Sequence, residues 1–337
     1  MAPKALSLFS GGLDSLLAYE MIKRQGIEVQ ALWFDNCFLS AHVRMIRAGQ
    51  GPEWLAVQFK EKYGVDVTVL SICDEFMDIM RDPPFGFGKH LNPCIDCKIA
   101  MLKKAKSYMA ETGAEFLITG EVLGQRPMSQ NRNSLNNIER TAGVNGLLLR
   151  PLCARNLEPT EPELKGIVDR DKLGDFKGRG RKPQLALAKE YGVRFIPQPA
   201  GGCLLTDSRF SERLKDFMAH GGKLDEYTAP ILLTGRHFRI SETIKLISGR
   251  KQEENDFLEG LMAHGVVLEP LNVPGPAGLI QGGPVDEGLV RQCAGLLTRN
   301  INKTDGDCTF EVRYGDGRKE EVTVAHAPKG EGEELLV

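Results

Sequence analysis

The feature that most constrains this chain lies at its start. An apolar run from Lys4 to Ser10 turns through Ser10-Gly-Gly-Leu-Asp-Ser15 into helical spacing over 14–23, carried by Leu16, Leu17, Tyr19 and Met21. A strand that passes through paired glycines directly into a helix is the opening of a parallel α/β unit. The rhythm continues. Strands are predicted over 28–34, 66–71 and 115–119, and helices over 54–63, 74–80 and about 95–112. A Pro/Gly-rich loop over 82–93 interrupts them. The expected fold is α/β, a doubly wound parallel sheet with helices on both faces and a smaller C-terminal α+β domain.

The glycine turn carries chemistry as well as topology. Gly11 and Gly12 let the backbone approach a ligand closely. The helix start behind them offers free N–H groups and partial positive charge, and Ser10 and Ser15 add hydroxyls. The result is a cup for pyrophosphate. The turn lacks the Gly-Lys-Ser/Thr ending of a kinase or GTPase loop. A plain glycine turn capped by Asp14 or Ser15 is the bland alternative.

The second half is organised differently. Residues 1–205 are expected to form the α/β domain, 206–229 a helical linker, 230–328 the small α+β domain and 329–337 a tail. Within the small domain, 286–298 places Leu289, Val290, Cys293, Leu296 and Leu297 on one helical face. Residues 309–314 alternate, turn at Gly315-Asp316-Gly317 and return through 320–324, which is a hairpin signal. Residues 155–182 read as an insertion, and a further strand is expected over 194–196.

The hexapeptide at 10–15 resembles the PP-loop of the N-type ATP pyrophosphatases, which cleave ATP to AMP and pyrophosphate while adenylating a carbonyl oxygen. The resemblance implies ATP and Mg²⁺ as cofactors, with Ser10, Gly11, Gly12, Asp14 and Ser15 around the pyrophosphate and Asp14 catalytic. It also places the strand end Trp33-Phe34-Asp35, with Phe34 foremost, beside the adenine. A second segment, Thr119-Gly-Glu-Val-Leu-Gly-Gln-Arg-Pro-Met-Ser-Gln130, follows a predicted strand. It is similar to the Thr-Gly-Glu-x-Leu-Gly-Gln segment of the tRNA 4-thiouridine synthetase family, and Leu149-Arg-Pro-Leu152 resembles that family's next motif. By this resemblance Gly120 and Gln125 line the nucleotide site, with Arg126, Gln130 and Arg150 as further candidates. The family's THUMP and rhodanese domains are not expected in this sequence. The C-terminal region resembles the RNA-binding module of NFACT proteins.

Eight cysteines are present, expected to be reduced, ligating or catalytic instead of paired in disulfides. Cys94-Ile-Asp-Cys97 opens a helix, where the N-terminus favours thiolates. Cys203 stands in Pro199-Ala-Gly-Gly-Cys-Leu. This two-plus-one pattern resembles the iron–sulfur-dependent tRNA thiolases and implies a [4Fe-4S] cluster on Cys94, Cys97 and Cys203. Three protein ligands leave one iron open to hold sulfide. Two alternatives stand beside it: Zn²⁺ with His90 as fourth ligand, and thiols acting without a cluster. Cys37, Cys73, Cys153, Cys293 and Cys308 stand singly and are expected to be buried.

Together these features predict an ATP-dependent sulfurtransferase acting on RNA, tRNA by resemblance, with sulfide or a cysteine desulfurase persulfide as sulfur donor. A homodimer is allowed. With a net charge of −2, the RNA grip must be a local patch. Candidates are Lys177 to Lys182, Arg236-His-Phe-Arg239 with Phe238 for stacking, Lys245, Arg250-Lys251, and 131–140. A PP-loop enzyme adenylating a small molecule, or a non-catalytic iron–sulfur or RNA-binding protein, would share many of these features. No apolar stretch is long enough to span a membrane and the N-terminus reads as a strand, so a cytoplasmic protein is expected.

Overall fold

In the computed structural model, residues 2–193, 202–301 and 306–337 are described. The predicted strand at 194–196 lies outside them. The chain divides into two compact units, 1–207 and 208–337.

The first unit runs β1 (Lys4–Leu8), α1 (Leu13–Lys23), β2 (Glu28–Asp35), α2 (Ser40–Arg47), α3 (Pro52–Tyr63), β3 (Val67–Ser71), α4 (Cys73–Arg81), α5 (Cys94–Thr112), β4 (Phe116–Thr119), α6 (Arg132–Ala142), β5 (Leu148–Leu149), α7 (Glu161–Leu164) and α8 (Lys182–Glu190). The five strands are parallel in the order β3-β2-β1-β4-β5. The order reverses at β1, which puts the glycine turn at the topological switch point of the sheet.

Period-two alternation decides which helices cover which face. Ala5, Phe116 and Ile118 pack with Leu13, Leu17 and Ile22 of α1 and Ala188 of α8. Their neighbours Leu6, Leu8, Leu32 and Leu117 point the other way, onto Ile99, Leu102 and Ala105 of α5 and Ile138 of α6. Both faces are therefore buried, as parallel sheets require. Helix α2 was not anticipated. It is eight residues long, buries His42, Val43 and Met45, and has no capping side chain to mark its start.

The second unit runs α9 (Ser208–Ala219), α10 (Thr228–Leu232), β6 (Arg236–Arg239), β7 (Lys245–Ser248), α11 (Gln252–Glu259), β8 (Val266–Pro270), β9 (Gly278–Gln281), α12 (Glu287–Thr298), β10 (Cys308–Arg313) and β11 (Lys319–Val324). Its sheet is antiparallel, in the order β11-β10-β8-β9-β7-β6. Val290, Cys293, Ala294 and Leu297 of α12 pack on Leu246, Leu268, Ile280 and Phe310 of the sheet. The segment read as a linker, 206–229, is largely part of this unit. Arg213 donates to the Leu232 carbonyl at 2.9 Å, and Asp216 accepts from Arg239 at 2.5 Å and Lys245 at 2.9 Å.

Candidate nucleotide and thiol site

The glycine turn leaves the carboxyl end of β1, where Phe9 N–H still donates to the Leu32 carbonyl of β2 at 2.7 Å. Gly11 has φ +72°, and a Cβ there would stand 2.9 Å from the Phe59 ring and 3.1 Å from the Tyr63 hydroxyl. Only glycine meets both conditions. The two serines brace the turn: Ser15 Oγ donates to the Gly12 carbonyl at 2.9 Å, and Ser10 Oγ and Ser15 Oγ lie 3.2 Å apart. No side chain caps the N-terminus of α1, so its amide groups remain available to an anion.

The segment after β4 closes on this turn. A Cβ on Gly120 would come within 2.5 Å of the Asp14 carbonyl carbon and the Ser15 nitrogen, so the two backbones touch without room for a side chain. Gln125 Nε2 donates to Asp14 Oδ2 at 3.1 Å. The other carboxylate oxygen of Asp14 is buried without a partner. An orphaned buried carboxylate oxygen beside an anion cup suits a cation carried in with phosphates. Phe34 is 5% exposed and packs in the core with Leu8, Leu32 and Ile72, so its side chain offers little surface to an adenine ring.

The three cysteines of the two-plus-one pattern converge. Cys94 and Cys97 open α5, and Cys203 forms an antiparallel bridge with Leu39, in the loop after β2. That bridge is reinforced by Ser40 N–H on the Gly202 carbonyl at 2.7 Å and Leu204 N–H on the Phe38 carbonyl at 2.9 Å. Asn36 Nδ2 reaches Cys97 Sγ at 3.6 Å, and Cys94 Sγ donates to Asn92 Oδ1 at 3.0 Å. Burial pushes the Cys97 thiol up to about 12; the Asn36 bond opposes this, and charge on Cys203 and Cys94 adds to it. Burial likewise pushes Cys203 up to about 11, with Cys94 adding and Arg126 opposing. Each sulfur thus lies within electrostatic reach of another.

A continuous path joins the thiols to the turn. Gly120 abuts Asp14, and the next residue, Glu121, lies 3.8 Å from Lys98, which follows Cys97. Burial would raise the Glu121 carboxyl, but the Lys98 and Arg150 cations hold it below the ordinary carboxylate range. Arg150 is 3% exposed and braces this edge through Glu121 and Glu139, while its Nη2 is buried without a partner. Asn36, Lys98 and Glu121 were not singled out by sequence. Only their adjacency to Asp35, Cys97 and Gly120 could have signalled them.

One expectation about cysteine needs correction. Cys37 and Cys73 are joined in a disulfide, with Cα atoms 5.5 Å apart. The cause is register: Asp35 pairs with Ser71 across β2 and β3, and both chains place a cysteine two residues further on. The ligand set of the zinc alternative, with His90, is not gathered within 4.8 Å among the described residues. Among the described residues, the one group of His, Cys and acidic side chains whose ligand atoms all lie within 4.8 Å of one another is Asp35, Cys37, His42 and Cys73. Cys94, Cys97 and Cys203 are not gathered that tightly. A single ion needs ligands at about 2.0–2.3 Å from one centre, whereas an iron–sulfur cubane spreads its thiolates over different irons. The wider trio fits the cluster better than the ion. Cys153, Cys293 and Cys308 are buried.

The basic candidates separate. In the second unit His237 and Phe238 are both 0% exposed, so Phe238 has no face for a base. Arg239 and Lys245 share Asp216, Arg250 binds Glu254 at 2.7 Å, and Lys251 binds Glu253 at 2.5 Å. In the first unit Lys177 pairs with Leu123, two residues after Glu121, and Lys177, Arg179 and Lys182 remain exposed. In 131–140, Asn131 caps α6 and Arg132 donates to the Asn156 carbonyl at 2.7 Å. No helix among the described residues is long and apolar enough to cross a membrane.

Comparison with known proteins gives two family matches. Residues 1–159 match the family described as thiamine biosynthesis protein (ThiI), and residues 235–335 match the NFACT protein RNA binding domain. Relatives include the tRNA sulfurtransferase of Yersinia enterocolitica, 28% identical over 156 residues, covering 45% of this chain and 29% of the relative. That of Serratia proteamaculans is also 28% identical over 156 residues, covering 45% of this chain and 30% of the relative. The chain therefore spans under a third of these relatives' length. Among solved structures, a 4-thiouridine synthetase–RNA complex with bound ATP is similar over 57% of this chain and 52% of its own, at 20% identity and TM-score 0.33. A predicted subunit of tRNA methyltransferase from Methanocaldococcus jannaschii is similar over 68% and 92%, at 16% identity and TM-score 0.36.

Proposed function

We propose that this chain, which joins a ThiI-family PP-loop domain over 1–159 to an NFACT-type RNA-binding domain over 235–335, is an ATP-dependent sulfurtransferase that acts on a base in RNA, with tRNA as the substrate class. The observation that carries the reading is the shared sheet edge: the anion cup at 10–15 and the trio Cys94, Cys97 and Cys203 are linked through Asp14, Gly120, Glu121 and Lys98. The names of the curated relatives point the same way.

The chemistry follows from what this edge can hold. A base carbonyl oxygen is a poor leaving group until it is joined to phosphorus. Its attack on the α-phosphorus of ATP forms one O–P bond and breaks another, releasing pyrophosphate into the cup. There the α1 amides and the Ser10 and Ser15 hydroxyls meet its charge. Asp14 stands where a phosphate-bound Mg²⁺ would be held. A hydrosulfide then attacks the ring carbon, and AMP leaves carrying the original oxygen; no net electron transfer is required. A cluster on Cys94, Cys97 and Cys203 would supply an open iron position that holds sulfide beside the adenylated base. Asn36 fixes Cys97, and the 202–204 segment fixes Cys203 against the β2 loop. Such fixation is where a proximity gain arises. Lys177, Arg179 and Lys182 offer exposed positive charge to the RNA backbone next to the Gly120 segment.

The test is mass spectrometry of tRNA nucleosides from cells with and without the protein, paired with AMP release by purified protein. A thionucleoside missing from the deletion strain supports the reading. An unchanged profile together with RNA-independent AMP release replaces it with adenylation of a small molecule.

A further inference from the structure

A second cluster of ligating side chains lies at the same sheet edge and plays no part in the reading above. Asp35 ends β2, Cys37 follows in the turn at φ +64°, His42 sits in the first turn of α2, and Cys73 is the first residue of α4. Asp35 and Cys37 are 5% and 1% exposed and His42 1%; Cys73 is half-buried. One donor atom from each lies within 4.8 Å of the other three. The carboxylate is placed by two bonds: Asp35 Oδ1 accepts from Cys37 N–H at 3.0 Å and Oδ2 meets His42 Nδ1 at 2.6 Å. Cys73 Sγ also approaches the Asp35 carbonyl, at 3.8 Å.

We propose that, once a thiol or phosphine reductant has opened the Cys37–Cys73 disulfide by two-electron exchange, these four side chains bind a single Zn²⁺-class ion. Two sulfurs, one imidazole and one carboxylate gathered around one point are a donor set for a closed tetrahedral site. Deprotonating two thiols beside a buried carboxylate would be costly without a compensating cation, and the ion supplies it. The disulfide and the metal-bound dithiol are two ways of closing the same clasp between the turn after β2 and the start of α4. The clasp matters because Asn36 to Ser40 carries the contacts to Cys97, Gly202, Cys203 and Leu204. The inference does not depend on the proposed function.

The test separates this site from the cysteine trio. A Cys94→Ala/Cys97→Ala/Cys203→Ala protein, reduced with a phosphine, stripped with chelator and kept without oxygen, is titrated with Co²⁺. The expected result is one bound ion, with the visible absorption of tetrahedral cobalt–thiolate coordination, displaced by Zn²⁺. Adding Cys37→Ser and Cys73→Ser should abolish it, and His42→Ala should weaken binding at least tenfold. To separate metal loss from misfolding, the unsubstituted pair is also oxidised to the disulfide in the same background; this form should bind no cobalt while keeping its far-UV circular dichroism. Absence of the thiolate spectrum in the reduced protein, or its persistence in the Cys37→Ser/Cys73→Ser or oxidised forms, overturns the proposal.

Discussion

Asn36 reaches across from the end of β2 to hold the sulfur of Cys97, 3.6 Å away at the start of α5. The contact ties the strand beside the anion cup to one member of the thiol trio. Cys97 is thereby positioned against a strand of the sheet.

The division of labour along this edge gives the first expectation. Asp14→Ala removes the unpartnered carboxylate oxygen at the cup but leaves Cys94, Cys97 and Cys203 untouched. AMP and pyrophosphate release should fall by at least two orders of magnitude, the scale seen when one transition-state contact is lost. The brown chromophore of anaerobically prepared protein should survive. Single alanine substitutions of the three cysteines should do the reverse, losing the chromophore while ATP still binds. A chromophore that persists in all three cysteine variants would falsify the ligand assignment.

Gly120→Ala tests the contact between the two backbones. The new Cβ would meet the Asp14 carbonyl carbon and the Ser15 nitrogen at 2.5 Å, and neither can rotate away. Overpacking of this kind costs about 1–3 kcal/mol. A lowered urea midpoint, together with loss of the stabilisation that ATP gives the parent protein, is expected. An unchanged midpoint would mean that the 120 segment yields easily and does not set the cup.

The thiols carry a pH signature. In the cluster-free protein, burial pushes Cys97 up to about 12 and Cys203 up to about 11, above the ordinary thiol value of 9.0. A raised value means that the fold binds the proton more tightly than the unfolded chain does. The stabilisation is complete below about pH 8.5 and is lost as pH rises through 11 to 12. Alkylation of Cys203, followed by mass spectrometry, should be slow at neutral pH and accelerate towards pH 11. Fast alkylation at pH 7 would show a thiolate that the surroundings do not predict.

How much of this was legible depends on whether the signal was local. The cup was readable because Gly11 is required by a positive φ and a close approach, and such demands leave their mark within six residues. The convergence of Cys203 on Cys94 and Cys97 was suggested by resemblance, but the contacts that achieve it, through Leu39, Ser40 and Phe38, have no sequence spacing to betray them. The meeting of Cys37 with Cys73 was missed for the same reason. It follows from the β2–β3 register, which is set by the whole sheet. The basic segment at 236–239 was legible only in part, since Arg236 alone of its four residues is half-exposed and outside an ion pair with Asp216. Its cations looked like a surface patch, yet the strand buries His237 and Phe238 completely and Asp216 takes up Arg239.

That buried strand yields the last expectation. His237 is 0% exposed, and its Nε2–H donates to the Thr234 carbonyl at 2.8 Å, which leaves Nδ1 unprotonated and without a partner. Burial, and then the positive charges of Lys245 and Arg213, hold its pKa well below the ordinary 6.5. A depressed histidine stabilises the fold above its unfolded value and loses that contribution as pH falls below it, at up to about 1.4 kcal/mol per pH unit. Asp216, held low by Arg239 and Lys245 against the opposing effect of burial, adds to acid sensitivity only below the ordinary 3.8. Hydrogen exchange of peptides covering 236–248 should therefore quicken between pH 6.5 and pH 5, after correction for intrinsic rates. His237→Gln, which cannot gain the proton, should flatten that dependence. An equally steep dependence in the glutamine variant would assign the acid sensitivity of the second domain to another group.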